Sequence, residues 1–280
     1  MKQLFLLTLF LTLCSCNTTP ANQSSLKLLV FDCGTLHFDS IEFLGVHDHE
    51  TDVRELIAPC FVVEHKQGRL LWEGGLPSNL AQIDGWQERD GGWRIKLDRT
   101  FEEQLEALNL SLSDFDYQSY SHFHFDHIGV ANEVEGATLI VQRREHEAAF
   151  SDSAHVFGYS PEVYNTLREA EQIIIDGEHD VFGDGSVRLL PAFGHTPGHQ
   201  VLYLDLPHTG PVVLAGDLYV FRVGREQRRL LPIDVDSSQS LESMQRLEAF
   251  VRETGSDLWI GHDMSLYDQD TTAADVVLIR

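Results

Sequence analysis

Basic residues are scarce in this 280-residue sequence. It carries 20 lysines and arginines against 44 aspartates and glutamates, which gives a formal net charge of −24. Because a field of that sign repels polyanions at long range, the composition argues against nucleic acid as a partner. A neutral or cationic small molecule approaches such a surface more easily.

The sequence also lacks the compositional extremes of non-globular proteins. Hydrophobic residues make up 42% of it, aromatic residues 10% and charged residues 23%. These ordinary values exclude a disordered chain, a collagen and a helical membrane bundle. The length fits one large domain or two modest ones. Since no internal repeat or second linker is visible, we predict one domain over residues 26–280.

One apolar run stands out, and it lies at the amino terminus. Residues 4–13 are almost entirely apolar and follow the positively charged Lys2. The run is shorter than the ~20 residues of a membrane-spanning helix, so it is typical of a signal-peptide core. A buried amino-terminal helix is the alternative.

The residues after this run indicate lipid attachment. Leu13-Cys14-Ser15-Cys16 resembles a bacterial lipobox, in which the signal is cut before the last cysteine and that cysteine carries lipid. We therefore predict a lipoprotein signal peptide at 1–15 and a flexible polar tether at 16–25. The protein is then expected at the cell envelope, attached to the membrane by lipid on Cys16, on the periplasmic or extracellular side.

Few cysteines remain after this processing. Only Cys33 and Cys60 follow Cys16 in the sequence, and both lie in apolar, strand-like runs. They could pair in an oxidising compartment. Two buried free thiols that pack as small hydrophobes are the alternative.

The order of apolar runs predicts strands in two groups, each followed by helices. Predicted strands lie at 26–43 (two short strands broken at Gly34), 58–65, 69–73, 187–191, 201–206, 212–215 and 258–260, and predicted helices at 101–108, 139–150, 162–172 and 238–254. This order suits an α+β fold in which two sheets pack together and helices cover both sides, an αββα sandwich. The pattern alone leaves a doubly wound sheet open.

Histidines and carboxylates carry the chemical signal. Residues 122–127 read His-Phe-His-Phe-Asp-His and follow a strand-like segment. In an extended chain His122 and His124 share a face, whereas Asp126 and His127 follow at the expected start of a helix. Three imidazoles and a carboxylate, with remote ligands added, exceed the needs of one tetrahedral ion. We therefore predict two metal ions.

Three further polar positions follow apolar strands, where loops build functional sites. His195, Asp217 and His262 each come directly after a glycine, which permits close approach of the backbone. Each is a weak signal alone. Taken together, and in this order after the 122–127 cluster, they form a strong signal.

Together these residues resemble the metal motif of the metallo-β-lactamase superfamily, and the resemblance covers roughly 26–280. It implies the αββα sandwich. It also implies that His122, His124 and His195 hold one divalent ion, that Asp126, His127 and His262 hold a second, and that Asp217 bridges both. Zinc is expected, and manganese, iron and cobalt also suit the donor atoms.

Within that superfamily the sequence is most similar to the quorum-quenching N-acyl homoserine lactone lactonases. His124 disfavours the flavo-diiron relatives, the bridging Asp217 disfavours the zinc β-lactamases, and the acidic charge disfavours nucleases. The segments at 33–34, 58–63 and 70–77 carry the similarity to the lactonases. It implies a hydrolase that opens a lactone or related ester. Hydrolysis of another ester, thioester or phosphoester remains open, as does a non-catalytic metal-binding lipoprotein.

The resemblance also implies catalytic roles. Asp217 would fix the spacing of the ions, Asp126 would carry a proton to the leaving alkoxide, and Tyr219 would contact the lactone carbonyl. Two positions depart from the pattern. Glu73 stands where most relatives have aspartate, and Tyr219 follows Asp217 by two residues instead of three. In a strand, that shift turns a side chain to the opposite face.

Overall fold

A computed structural model describes residues 26–263, 265 and 274–279. The predicted signal peptide at 1–15 and the tether at 16–25 lie outside the described residues. Among the residues that are described, no helix has the length and apolar content needed to cross a membrane.

The larger of two mixed sheets is built mainly from the amino-terminal half. Its strands are β1 (Lys27–Phe38), β2 (Glu55–His65), β3 (Gly68–Gly74), β4 (Gln87–Arg89), β5 (Trp93–Lys96), β6 (Tyr117–Ser119), β7 (Thr138–Gln142), β8 (Gln172–Ile175) and β14 (Val276–Ile279). They lie in the order β4-β5-β1-β2-β3-β6-β7-β8, and β14 pairs in parallel with the first part of β1.

Over the described residues, the smaller sheet has five strands. They are β9 (His179–Asp180), β10 (Val187–Pro191), β11 (Gln200–Leu206), β12 (Gly210–Leu214) and β13 (Asp257–Trp259), in the order β13-β12-β11-β10-β9. The helices are α1 (Phe101–Glu106), α2 (Arg143–Ala149), α3 (Arg222–Gln227) and α4 (Ser237–Thr254).

Alternating side chains show how the layers pack. On β11, Leu202 and Leu204 enter the core shared with β1 and β3, whereas Val201 and Tyr203 face the opposite way and pack with α4. The large sheet behaves in the same manner, since residues of β1 alternate between the shared core and a cluster that contains α1. Because strand side chains alternate between faces, each sheet has one face on the other sheet and one under helices. The predicted αββα sandwich is confirmed.

Two predicted helices are wrong in part. The run predicted as a helix at 139–150 begins as β7, and only its second half is helical, as α2. β7 lies between the parallel strands β6 and β8 and is buried on both faces, so its apolar run lacks the alternation that marks a strand. The segment predicted as a helix at 162–172 forms short 3₁₀ turns before β8. At the amino terminus, β1 is one continuous strand with an irregularity at Gly34, not two strands.

A disulfide joins Cys33 on β1 to Cys60 on β2, which decides between the two alternatives for these residues. The bond lies in the core beneath α1. Next to it runs the turn after β3, where a Cβ on Gly75 would lie 2.1 Å from the Cβ of Cys33. The amide of Leu76 also donates to the carbonyl of Cys33 at 2.9 Å. The disulfide therefore supports the turn that follows Glu73.

We expect the double variant Cys33→Ala with Cys60→Ala to be less stable by about 2–4 kcal/mol, because the bond closes a long loop in the unfolded chain. The sequence separation of the two cysteines is 27. Urea unfolding of the variant and of the oxidised protein measures the difference. Reduced wild-type protein should unfold as the variant does, and equal midpoints for oxidised protein and variant would contradict the expectation.

Candidate metal centre

The seven predicted ligands meet in the loops at one end of the sandwich. Donor atoms of His122, His124, His195 and Asp217 lie within 4.8 Å of one another, and so do those of Asp126, His127 and His262. We call these the first and second donor groups. The loops after β6, β10, β12 and β13 supply them.

The segment that carries four of these ligands is irregular, although we predicted the start of a helix at Asp126. Several of its backbone hydrogen bonds go to the end of β3 and the turn that follows it, not along a helix. The amide of Gly129 donates to Gly75, and the carbonyl of His127 accepts from Gly74. Gly129 lies so close that a Cβ would be 2.2 Å from the carbonyl carbon of Leu76. This docking aims Asp126 and His127 at the centre.

Each imidazole of the first group has one nitrogen facing its neighbours and one held from behind. His122 Nε2 lies 2.8 Å from His124 Nδ1, and His195 Nε2 lies 3.2 Å from the same atom. The outer nitrogens of His122, His124 and His195 contact the Ser121 hydroxyl at 2.9 Å, the Phe157 carbonyl at 2.9 Å and the Asp234 carboxylate at 3.2 Å, respectively. Such partners fix ring orientation and leave one nitrogen free for an ion.

The second group follows the same plan. The Nε2 atoms of His127 and His262 lie 4.0 and 3.8 Å from Asp126 Oδ2. Behind them, His127 Nδ1 lies 3.3 Å from Glu73 Oε2, and His262 Nδ1 donates to the carbonyl of Ile57.

Asp217 stands between the groups with one oxygen toward each. Its Oδ1 lies 3.2 Å from His127 Nε2 and 3.0 Å from His262 Nε2. Its Oδ2 lies 3.5 Å from His195 Nε2 and 4.0 Å from His122 Nε2. The geometry is that of a carboxylate able to bridge two ions.

His199 holds Asp217 in this place. Its Nε2 accepts the backbone N–H of Asp217 at 3.0 Å, and its Nδ1 donates to the carbonyl of Ala192 at 3.1 Å. Burial lowers the pKa of His199 to about 3, which suits an acceptor nitrogen. With both nitrogens engaged, His199 supports the centre without joining either donor group.

Protonation states fit the binding of cations. Burial lowers the pKa of His122 well below its usual value and that of His124 to about 4, so both rings are neutral. Burial opposes the charged form of His127, but Asp217, Glu73 and Asp126 outweigh it and raise its pKa well above the usual value. In the second group, a proton on His127 therefore supplies positive charge, and a bound metal ion would displace that proton.

Two buried atoms also indicate that the centre binds cations. Among the described residues, His127 Nε2 and Asp217 Oδ1 have no hydrogen-bond partner of good geometry. Buried polar atoms without partners are costly, and a coordinated ion removes that cost. The mixed nitrogen and oxygen donors fit zinc and the related first-row ions.

Tyr219 is the predicted site residue that the structure does not bring to the centre. The backbone is extended at Tyr219, so neighbouring side chains point to opposite faces. Tyr219 is buried with Met244 and Leu247 of α4, whereas Val220 lines the cavity described next. The expected contact with a lactone carbonyl is therefore not available to its hydroxyl.

A cavity of about 490 Å³ opens above the centre. His124, Asp126, Asp217 and His262 form its polar end. Its apolar walls are Leu36, Phe38, Phe43, Leu44, Leu56, Trp93, Phe125, Val220 and Ile233. Such a cavity can bind a molecule with a reactive polar head and an apolar tail.

Sequence reasoning missed two supporting acids, Asp234 and Glu145. Asp234 behind His195 lies in a loop with no recognisable signal. Glu145 had a recognisable signal, because it shares a helix face with the buried Ala148 and Ala149, where a carboxylate is unusual.

Glu73, noted as a departure in the sequence, supports the second donor group from behind His127. Its backbone has φ of +62°, which is uncommon for a residue other than glycine. Its Oε2 accepts the amide of Ser121 at 3.3 Å as well as facing His127. The carboxylate thus ties β3 to the ligand segment.

Comparison with known proteins gives a family and several similar proteins. A family model described as the metallo-beta-lactamase superfamily matches residues 53–262. The N-acyl homoserine lactonase AttM of Azorhizobium caulinodans is 29% identical over 223 residues, 75% of this chain and 82% of the relative. An N-acyl homoserine lactonase of a Bacillus species is 30% identical over 211 residues, 73% of this chain and 80% of the relative.

A solved structure has the same fold. It is an N-acyl homoserine lactone hydrolase with the product N-hexanoyl-L-homoserine at its catalytic metal centre. It is 26% identical, aligns with a TM-score of 0.70, and the match covers 86% of this chain and 95% of that one.

We expect Glu73→Gln to weaken binding of the ion in the second group by about 10–100-fold, since it removes the negative charge behind His127. Competition with a chelator measures the affinity of each of the two ions. Glu133→Gln, an exposed acid in the same part of the fold, is the matched control. Unchanged affinity for both ions in Glu73→Gln would contradict this role.

Proposed function

The chain belongs to the metallo-β-lactamase superfamily, and from its centre we propose that it is a dinuclear metal-dependent hydrolase that opens the lactone ring of N-acyl homoserine lactones. One observation carries the proposal. Asp217 points one oxygen toward the histidines of each donor group, at the polar end of a mostly apolar cavity. A protein that merely stores a metal has no need of that arrangement beneath a substrate-sized cavity.

The chain's residues divide the work of ring opening. Two divalent ions, when bound, polarise the carbonyl and make water a nucleophile at neutral pH. Asp217 would set the spacing of the two ions. Water adds to the carbonyl carbon, the ring carbon–oxygen bond breaks, and the departing alkoxide needs the proton that the water gave up. Asp126 is 8% exposed and lines the cavity, so its carboxyl is placed to carry that proton.

The cavity walls support an acyl lactone over a small polar ester. Nine apolar side chains surround the space next to the donor groups. An acyl chain buried there would gain about 25 cal/mol per Å² of apolar surface removed from water. The relative that carries N-hexanoyl-L-homoserine at its metal centre supports the same class of substrate.

We propose zinc as the resident metal. Five imidazoles and two carboxylates form the donor set, which suits zinc, and manganese, iron and cobalt remain compatible with it.

We expect zinc-loaded protein lacking residues 1–16 to convert N-hexanoyl and N-decanoyl homoserine lactones to products heavier by one water. Acid should close the ring again. Asp217→Ala should lower the rate by at least about 100-fold, because the reacting groups lose their spacing. Mass spectrometry measures both.

Glu147→Gln is the matched control, because Glu147 is an exposed acid on α2 away from the cavity. It should react as the wild type does. If metal-replete protein leaves both lactones intact but hydrolyses simple esters or thioesters, the substrate class proposed here is wrong.

We also propose that the protein is a lipoprotein of the cell envelope, attached through Cys16. The apolar run at 4–13 and the cysteine at 16 support this location. The disulfide between Cys33 and Cys60 supports it independently, because stable disulfides are typical of oxidising compartments.

Expression of the full chain in a bacterium tests the anchor. Wild-type protein should be found in the membrane fraction and incorporate labelled fatty acid. Cys16→Ala should do neither, and Cys14→Ala, a cysteine two positions away, should behave as the wild type. Labelled, membrane-bound Cys16→Ala protein would contradict the proposal.

A further inference from the structure

A buried carboxylate on α2 connects the two segments that carry the first donor group. Glu145 is 1% exposed and accepts four hydrogen bonds. Its Oε1 accepts from the backbone N–H of Phe123 at 3.0 Å and from the Tyr159 hydroxyl at 2.7 Å. Its Oε2 accepts from the Thr196 hydroxyl at 2.8 Å and the backbone N–H of Gly198 at 2.9 Å.

These partners lie directly beside ligands. Phe123 stands between His122 and His124, and Thr196 follows His195. One carboxylate therefore joins the two chain segments, far apart in sequence, that supply all three histidines of the first group.

The segment that carries His195 packs tightly against Glu145. A Cβ on Gly198 would lie 2.2 Å from the amide nitrogen of Glu145. The segment that carries His195 can therefore approach α2 only because residue 198 is glycine. On the other side, the Tyr159 ring lies 5.8 Å from the His124 ring. The first group is thus packed against α2 before any ion contributes.

Only a carboxylate can satisfy this arrangement. Each oxygen of Glu145 accepts from one backbone N–H, and a backbone N–H cannot reverse its role. A glutamine has one oxygen and one NH₂ group. Its oxygen could accept the N–H of one segment, but its NH₂ group would face the N–H of the other segment, donor against donor. Burial raises the pKa of Glu145, and the four donated bonds act against that rise.

We propose that Glu145 is a positioning residue that preorganises the first metal position, by holding the His122–His124 and His195 segments at a fixed separation. The inference rests on the proposed function in one respect, namely that the first donor group binds an ion. The second group is supported by Glu73 and the carbonyl of Ile57 instead. Loss of Glu145 should therefore act on one metal position and spare the other.

Titration of metal-free Glu145→Gln with cobalt and with zinc tests this. We expect the affinity of the first position to fall by about 10–100-fold while the second keeps its wild-type affinity. At a buffered free zinc concentration that just fills both positions of the wild type, the variant should hold about one ion per chain. Glu147→Gln, which removes an exposed acid from the same helix, should bind both ions as the wild type does.

Thr196→Val provides a second test if Glu145→Gln does not fold. It removes one hydroxyl donor and leaves the Gly198 bond, so the same position should weaken, but by less. Wild-type affinity at both positions, or equal weakening of both, would overturn the proposal in either variant. Because ions are measured without substrate, inactivity of the wild type on lactones would count against the proposed function and not against this role.

Discussion

Burying a carboxylate between two sets of imidazoles is unfavourable unless cations complete the site, and the rest of this structure depends on that constraint at Asp217. Asp217 is 7% exposed and faces four histidines at 3.0 to 4.0 Å. The charges of His262 and His127 outweigh burial and keep the pKa of Asp217 well below the usual range. Because one oxygen of Asp217 faces each donor group, both metal positions are defined before either is filled.

The sandwich makes that definition possible because it delivers four loops to one end. The ends of β6, β10, β12 and β13 belong to two different sheets, so the donor groups straddle the boundary between the layers. Loops are mobile by default, and here buried acids restrain them. Glu73 ties the ligand segment to β3, and Asp234 lies behind His195. Preorganisation of this kind is what keeps metal ligands in position.

Local motifs predicted the ligands, because the spacing of residues 122–127 and the glycines before His195, Asp217 and His262 are visible in the sequence. Features set by tertiary contacts were not predictable in the same way. The apolar pattern of β7 resembles that of a buried helix, and only its pairing with two parallel neighbours makes it a strand. The segment at Asp126 avoids a helix because its backbone bonds go to the turn after β3. Tyr219 faces α4 because the chain is extended there, which the sequence alone left open.

Anomalous diffraction from crystals of the zinc-loaded protein tests the central claim most directly, because it locates the ions without any assumption about the substrate. The account predicts two peaks about 3.5–4 Å apart, one beside each donor group, with one oxygen of Asp217 on each. A single peak, or two peaks with Asp217 bound to only one of them, would contradict it.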